Sequence, residues 1–118
     1  MADAGLFIGW GEVVRGREER AIEVFNEAVQ YYGQLQQEGR IESFDVCLLE
    51  PHGGDLAGFI TMRGSEQQLD AVHHDEGFQR QMARANLIVE KLGIVPAYFG
   101  EEIGRQMSLY QTEVAELV

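Results

Sequence analysis

Glu12, Asp45 and Arg63 are the charged side chains most able to do chemistry, because each stands in or beside a strand-like run and the three could share one sheet face with Trp10 and Cys47. A carboxylate held against an apolar lining serves as a general base. A guanidinium beside it holds a substrate carboxylate or a developing oxyanion. The plainer reading is that these three sit at strand ends as rim charges or intersubunit ion pairs. His73 and His74 are adjacent and could carry a proton or bind a metal, although such a pair more often marks a solvated helix end. His52 stands in the turn Pro51-His52-Gly53-Gly54-Asp55, where an exposed tip is the simpler expectation.

Cys47, the single cysteine, would be a nucleophile only with a base beside it. Its neighbours Val46 and Leu48 supply none, so it reads as a small buried hydrophobe. Trp10, Cys47 and Phe59 are the candidate lining of an apolar ligand site. Tyr31, Tyr32, Tyr98 and Tyr110 could bind an aromatic substrate, but core and interface packing explain them more simply. No Cys/His spacing matches a zinc site, and Gly53-Gly54 is too short to cradle phosphate.

The elements that position these residues follow from periodicity. Leu6 to Val14 is a first strand, aromatic and β-branched. Residues 18–38 form a helix with a stripe of Ile22, Phe25, Val29, Tyr32 and Leu35, stopped by Gly39. Ile41 to Glu50 and Leu56 to Met62 are two strands whose short connection makes them an antiparallel hairpin. Ser65-Glu66-Gln67-Gln68 is a capping box that opens a second helix. This helix breaks near His74, where Asp75 caps a fresh segment carrying Phe78, Met82, Ala85, Val89 and Leu92. Ile94 to Phe99 is a fourth strand, placed at an edge by Pro96. Residues 101–118 are a tail that could be helix or strand, and could meet a partner subunit or fold back on its own.

The chain of 118 residues is expected to be one domain over 1–118. Nine basic against 20 acidic residues give a net charge of −11. That balance argues against nucleic acid and against anionic membrane surfaces as partners. No apolar run approaches the ~20 residues of a membrane span. Residues 6–10 lack the basic flank of a signal peptide. With one cysteine, a cytoplasmic setting is expected.

Strand, helix, strand, strand, helix, strand is the order of an α+β, ferredoxin-like βαββαβ domain. Right-handed crossovers place both helices on one face of a four-stranded antiparallel sheet. Alternation then assigns the faces. Phe44, Val46 and Leu48 are expected under the helices. So are Phe7, Gly9, Gly11 and Val13, since glycines admit a close helix. The open face would hold Leu6, Ile8, Trp10, Cys47, Leu49 and Phe59, more apolar surface than a monomer normally exposes. At ~25 cal/mol per Å², leaving it wet forfeits several kcal/mol. A second copy packed sheet to sheet is the economical cover.

On element order, helix lengths and the broken second helix, residues 6–100 resemble the dimeric α+β barrel superfamily. The resemblance implies a sheet-to-sheet homodimer with helices outside. The superfamily includes antibiotic-biosynthesis-type monooxygenases, haem-degrading enzymes and isomerases, and fold alone transfers none of these activities. Its haem-degrading members carry an iron-ligand histidine in the second half of the second helix. Here Glu76 to Leu92 contains none, and Asn86 is a poor ligand, so no cofactor is expected. The first expectation is a homodimer binding a small apolar or aromatic molecule between sheet and helices. The alternatives are a cofactor-independent monooxygenase or isomerase, and a purely structural interaction module.

Overall fold

The computed structural model describes residues 3–118, and residues 1 and 2 of the expected domain lie outside it. The chain runs β1 (Ala4–Trp10), α1 (Glu18–Gln37), β2 (Ser43–Leu48), β3 (Gly58–Gly64), α2 (Glu66–His73), α3 (Glu76–Asn86), β4 (Gly93–Tyr98) and α4 (Glu101–Leu117). The strands form one antiparallel sheet in the order β2-β3-β1-β4. The fold is therefore α+β and ferredoxin-like. Pro96 lies on the edge strand β4, where its missing N–H breaks no inner ladder bond. Among the described residues, no helix is long and apolar enough to cross a membrane.

Register fixes which side chains share a face. Ile8 stands opposite Ile60 on β3 and Ile94 on β4, and Leu6 stands opposite Met62. On the neighbouring strand Phe44 faces Met62 and Val46 faces Ile60. Leu6, Ile8, Ile60 and Met62 are buried with Tyr32, Leu35, Ile41, Leu69, Val72 and Phe78, with Phe44 and Trp10 packed against them. This is the helix side. The expected phases of β2 and β3 hold, but that of β1 is reversed. Leu6, Ile8 and Trp10 lie under the helices, and Gly5, Phe7 and Gly9 face the open side.

The reversal has a definite cause. A Cβ on Gly5 would lie 2.3 Å from the Phe99 ring, and one on Gly9 would lie 2.7 Å from the Phe7 ring. These glycines admit aromatic rings lying flat on the open face, not a close helix. The open face therefore presents Phe7 stacked on Phe59 at 5.2 Å, together with Cys47, Thr61, Asp45 and exposed Val95.

The second helical region breaks as its side chains demand. Ser65 Oγ accepts the Gln68 N–H at 3.1 Å, and Gln68 Oε1 accepts the Ser65 N–H at 2.8 Å, completing the capping box. Asp75 then caps α3 by accepting the Gly77 N–H at 3.1 Å. The same carboxylate accepts the Tyr31 hydroxyl at 2.7 Å and pairs with Arg40 at 3.2 Å, tying α3 to the end of α1. The Tyr31 hydrogen bond, followed by Arg40, holds Asp75 below the usual carboxylate range. Burial, reinforced by Asp75, pushes Tyr31 up to about 12.

A carboxylate with a depressed folded value contributes stability above its ordinary 3.8, and that contribution is lost as pH falls through the folded value. Asn also caps well, so Asp75→Asn isolates the charge. The variant is expected to melt a few degrees below the parent at neutral pH. The gap should close in acid, as followed by thermal denaturation across a pH series. A gap that persisted unchanged in acid would remove the charge as its source.

Past Asn86 the chain leaves the helix earlier than the Phe78-to-Leu92 stripe suggests. Residues 88–90 pair instead with the extension of β1. Val14 N–H donates to Ile88 O at 2.9 Å, Glu90 N–H to Glu12 O at 2.8 Å and Gly11 N–H to Glu90 O at 2.8 Å. Ile88 and Val89 join Ala21 and Val24 in a second buried cluster. The Arg17 guanidinium donates to Leu87 O, pinning the start of α1 to this segment.

Candidate functional site: an apolar cavity between sheet and helices

The two clusters do not close on each other. Between them lies a cavity of about 390 Å³. Ile8, Trp10 and Ile60 form its sheet wall. Val24, Phe25, Ala28 and Tyr32 of α1 form another, and Met82 and Ala85 of α3 with Ile88, Val89 and Leu92 form the third. Trp10 meets Phe25 edge-on at 6.2 Å, an arrangement that rings prefer and that leaves a flat aromatic surface for a guest. Ile22 (63% exposed), Leu48 (66% exposed) and Val13 surround the opening. Glu18 is the only charged side chain on the wall. It is exposed and already accepts the Gly16 N–H at 3.0 Å.

Tyr32 is one of the residues around this cavity. It is fully buried at 0% exposure, and its hydroxyl has no hydrogen-bond partner among the described residues. An unsatisfied buried hydroxyl costs about 1–3 kcal/mol, so it needs an explanation. The one other such atom, Gln81 Oε1, belongs to a residue that does not line the cavity. Burial raises the Tyr32 phenol further above the ordinary tyrosine range. It therefore stays protonated and acts as a donor. The cavity can hold an apolar or aromatic molecule.

Of the candidate site residues Glu12, Asp45, Arg63, His73, His74, Trp10, Cys47 and Phe59, only Trp10 lines this cavity. Cys47 and Phe59 stand opposite each other on the open face, on the other side of the sheet from Trp10. The expected grouping of all three around one ligand is therefore replaced by two separate surfaces. Asp45, exposed, pairs in register with Thr61 on that open face. The Arg63 guanidinium lies 4.4 Å from the centre of the Phe99 ring. Glu12 is exposed beside the 49–57 turn.

Within that turn, His52 uses both ring nitrogens. Nδ1 accepts the Gly54 N–H at 3.2 Å, and Nε2 is then left to donate to Leu56 O at 2.8 Å. His73 and His74 are exposed at the end of α2, with His74 Nδ1 2.9 Å from Asp70 O. No cluster of metal-ligating side chains occurs among the described residues.

Sequence reasoning named a space between sheet and helices but assigned its candidate lining to the open face. Apolar periodicity selects the larger Ile22 and Val29 for the buried stripe of α1. The structure buries Ala21 and Val24 and leaves Ile22 at the opening. The usable signal was the run of small residues facing inward, Ala21, Ala28 and Ala85, which leaves volume unfilled.

No protein-family profile matches the chain, and no curated protein matches it in sequence. Solved structures do match in shape. A dimeric protein of unknown function with a ferredoxin-like fold from Bacteroides fragilis superposes with a TM-score of 0.60 at 12% identity, covering 81% of this chain and 96% of its own. A conserved protein from Methanosarcina mazei gives 0.61 at 12% identity, covering 84% and 95%. The cofactor-independent oxygenase SnoaB from Streptomyces nogalater gives 0.53 at 14% identity, covering 84% and 95%. These likenesses establish the ferredoxin-like architecture.

Proposed function

We propose that this protein is a cytoplasmic homodimer that binds a small, mostly apolar aromatic molecule in the cavity beneath its helices, with Tyr32 donating a hydrogen bond to the guest's one polar atom. The observation that carries the reading is the apolar cavity itself, one of whose lining residues, Tyr32, has a buried hydroxyl without a partner among the described residues. The guest supplies the acceptor that the protein withholds, and the apolar lining supplies affinity through buried area. The dimer rests on the open face, where Phe7, Phe59 and Val95 meet water in a single chain. The Bacteroides fragilis protein of the same fold is described as dimeric, which supports the same assembly here.

Calorimetric titration with naphthol and naphthalene tests the reading. Naphthol is expected to bind about tenfold more tightly, the worth of one added hydrogen bond. Tyr32→Phe should abolish that preference and leave naphthalene affinity intact. The variant should also be as stable as the parent or slightly more so, because it removes an unsatisfied buried group. If Tyr32→Phe left the naphthol preference in place, the hydroxyl would have no part in the site. If neither probe bound, the cavity would not be a binding site.

A second reading is a cofactor-independent monooxygenase acting on a hydroxylated aromatic guest. It is favoured by the likeness to the Streptomyces nogalater oxygenase and by the aromatic wall of Trp10 and Phe25. None of Glu12, Asp45, Arg63, His73 and His74 lines the cavity of its own chain, so Tyr32 would be the polar group in reach of substrate. Oxygen uptake in the presence of a dihydroxynaphthalene, lost on Tyr32→Phe, would decide for this reading over simple binding.

A further inference from the structure

The C-terminal helix α4 carries Ile103, Met107, Tyr110, Val114 and Leu117, spaced four, three, four and three residues apart. That spacing keeps all five on one side of the helix, as in the seam of a helix that packs on a partner. Within the single chain nothing covers them. No α4 residue is buried, and these five are 40–81% exposed. A helix of 17 residues is marginal alone in water, and its stability comes from packing an apolar face.

The joint before α4 shows where the helix starts. Phe99 lies over Gly5 on the open side of the sheet, with the Arg63 guanidinium 4.4 Å from its ring. The Phe99 N–H donates to Asp3 O at 2.9 Å. Gly100 follows at φ 54° and ψ −132°, a conformation that L side chains rarely adopt, and a Cβ there would lie 2.4 Å from the Asp3 carboxylate. The helix thus starts from the margin of the open face itself, and whatever covers that face lies next to α4.

From this continuity we infer that α4 is an arm that lays its apolar stripe on the second copy of the chain, extending the sheet-to-sheet contact. The inference rests on the dimer proposed above. The polar side of α4 holds Glu101, Glu102, Glu113 and Glu116 against the single basic residue Arg105. A surface-seeking membrane helix is instead rich in Lys and Arg, so an anionic lipid surface is disfavoured as the occupant. Five large apolar side chains offer several hundred Å² per chain, a substantial part of the ~800 Å² per partner in a stable interface.

Sedimentation velocity over a concentration series tests the arm on three proteins: the full chain, a chain ending at Gly100, and the full chain with Met107→Asp and Val114→Asp. The double variant alters only exposed positions, so it reports even if the shortened chain fails to fold. The full chain is expected to be a dimer, with both altered forms dissociating at roughly tenfold or more higher concentration. A full-length dimer with both altered forms equally tight would overturn the arm and leave the dimer standing. A full chain that stayed monomeric would overturn both. Binding of the full chain, but not the shortened one, to phosphatidylglycerol vesicles would assign the stripe to lipid and overturn the arm.

Discussion

Phe59→Asp is expected to convert the proposed dimer to monomers at micromolar concentration. Phe59 lies near the start of β3, paired in register with Gly9 on one side and Cys47 on the other. Its ring stacks on Phe7 at 5.2 Å. These two rings are among the largest apolar groups of the open face. A carboxylate there would enter the interface without a partner, and an unpaired buried charge is among the most destabilising changes an interface can suffer. The dimer dissociation constant should rise by about a hundredfold or more, equivalent to roughly 2.7 kcal/mol. In the isolated chain the same position is only half-buried, so the monomer should remain folded, with unchanged secondary structure and a cavity that still binds probe. Light scattering at several concentrations reads the outcome. A variant as dimeric as the parent would mean that the sheet faces do not meet.

Ala28→Phe should abolish ligand binding while leaving the fold intact. Ala28 lines the cavity from α1 and packs against the buried cluster that contains Tyr32. A phenyl group there projects into space that no other side chain of the described residues occupies. Filling an existing cavity commonly adds about 0.5–2 kcal/mol of stability, and overpacking subtracts a similar amount. In either case the guest loses its volume. Affinity for naphthalene is expected to fall by roughly a hundredfold, against the unchanged affinity expected of Tyr32→Phe. The two variants thus separate the volume of the site from its hydrogen bond. Retained affinity in Ala28→Phe would place the ligand elsewhere, for instance beside the 49–57 turn with its polar walls.

Where local chemistry dictates structure, the sequence was legible. Ser65 and Gln68 satisfy each other's backbone N–H groups whatever surrounds them, and Asp75 caps α3 as expected. Phe44, Val46 and Leu48 on β2 all point to one side, so their phase was unambiguous. The phase of β1 was not, because both of its faces are apolar: Leu6, Ile8 and Trp10 on one, Phe7 between two glycines on the other. Only the tertiary partners decide between them. Those partners are the Phe99 and Phe7 rings over Gly5 and Gly9, which no local rule reveals.

The site was half legible for a related reason. Periodicity identifies side chains that fill space, whereas a cavity is made by those that do not. Ala21, Ala28 and Ala85 carry little weight in an apolar stripe, yet they create the volume. The want of a partner for the Tyr32 hydroxyl is likewise visible only once every neighbour has been placed. The tail allowed both helix and strand on composition. Its helix is the solution that gathers Ile103, Met107, Tyr110, Val114 and Leu117 onto one side.

Trp10 is the only tryptophan in the chain, and its indole forms part of the cavity wall, so the protein reports on its own site. The most direct measurement is energy transfer from Trp10 to phenylnaphthylamine, a neutral apolar probe, during titration of the full-length protein. A saturable quenching of Trp10 emission with one probe per chain, displaced by naphthol, is the expected result. Trp10 emission that stayed constant to the solubility limit of the probe would show that nothing enters the space between sheet and helices.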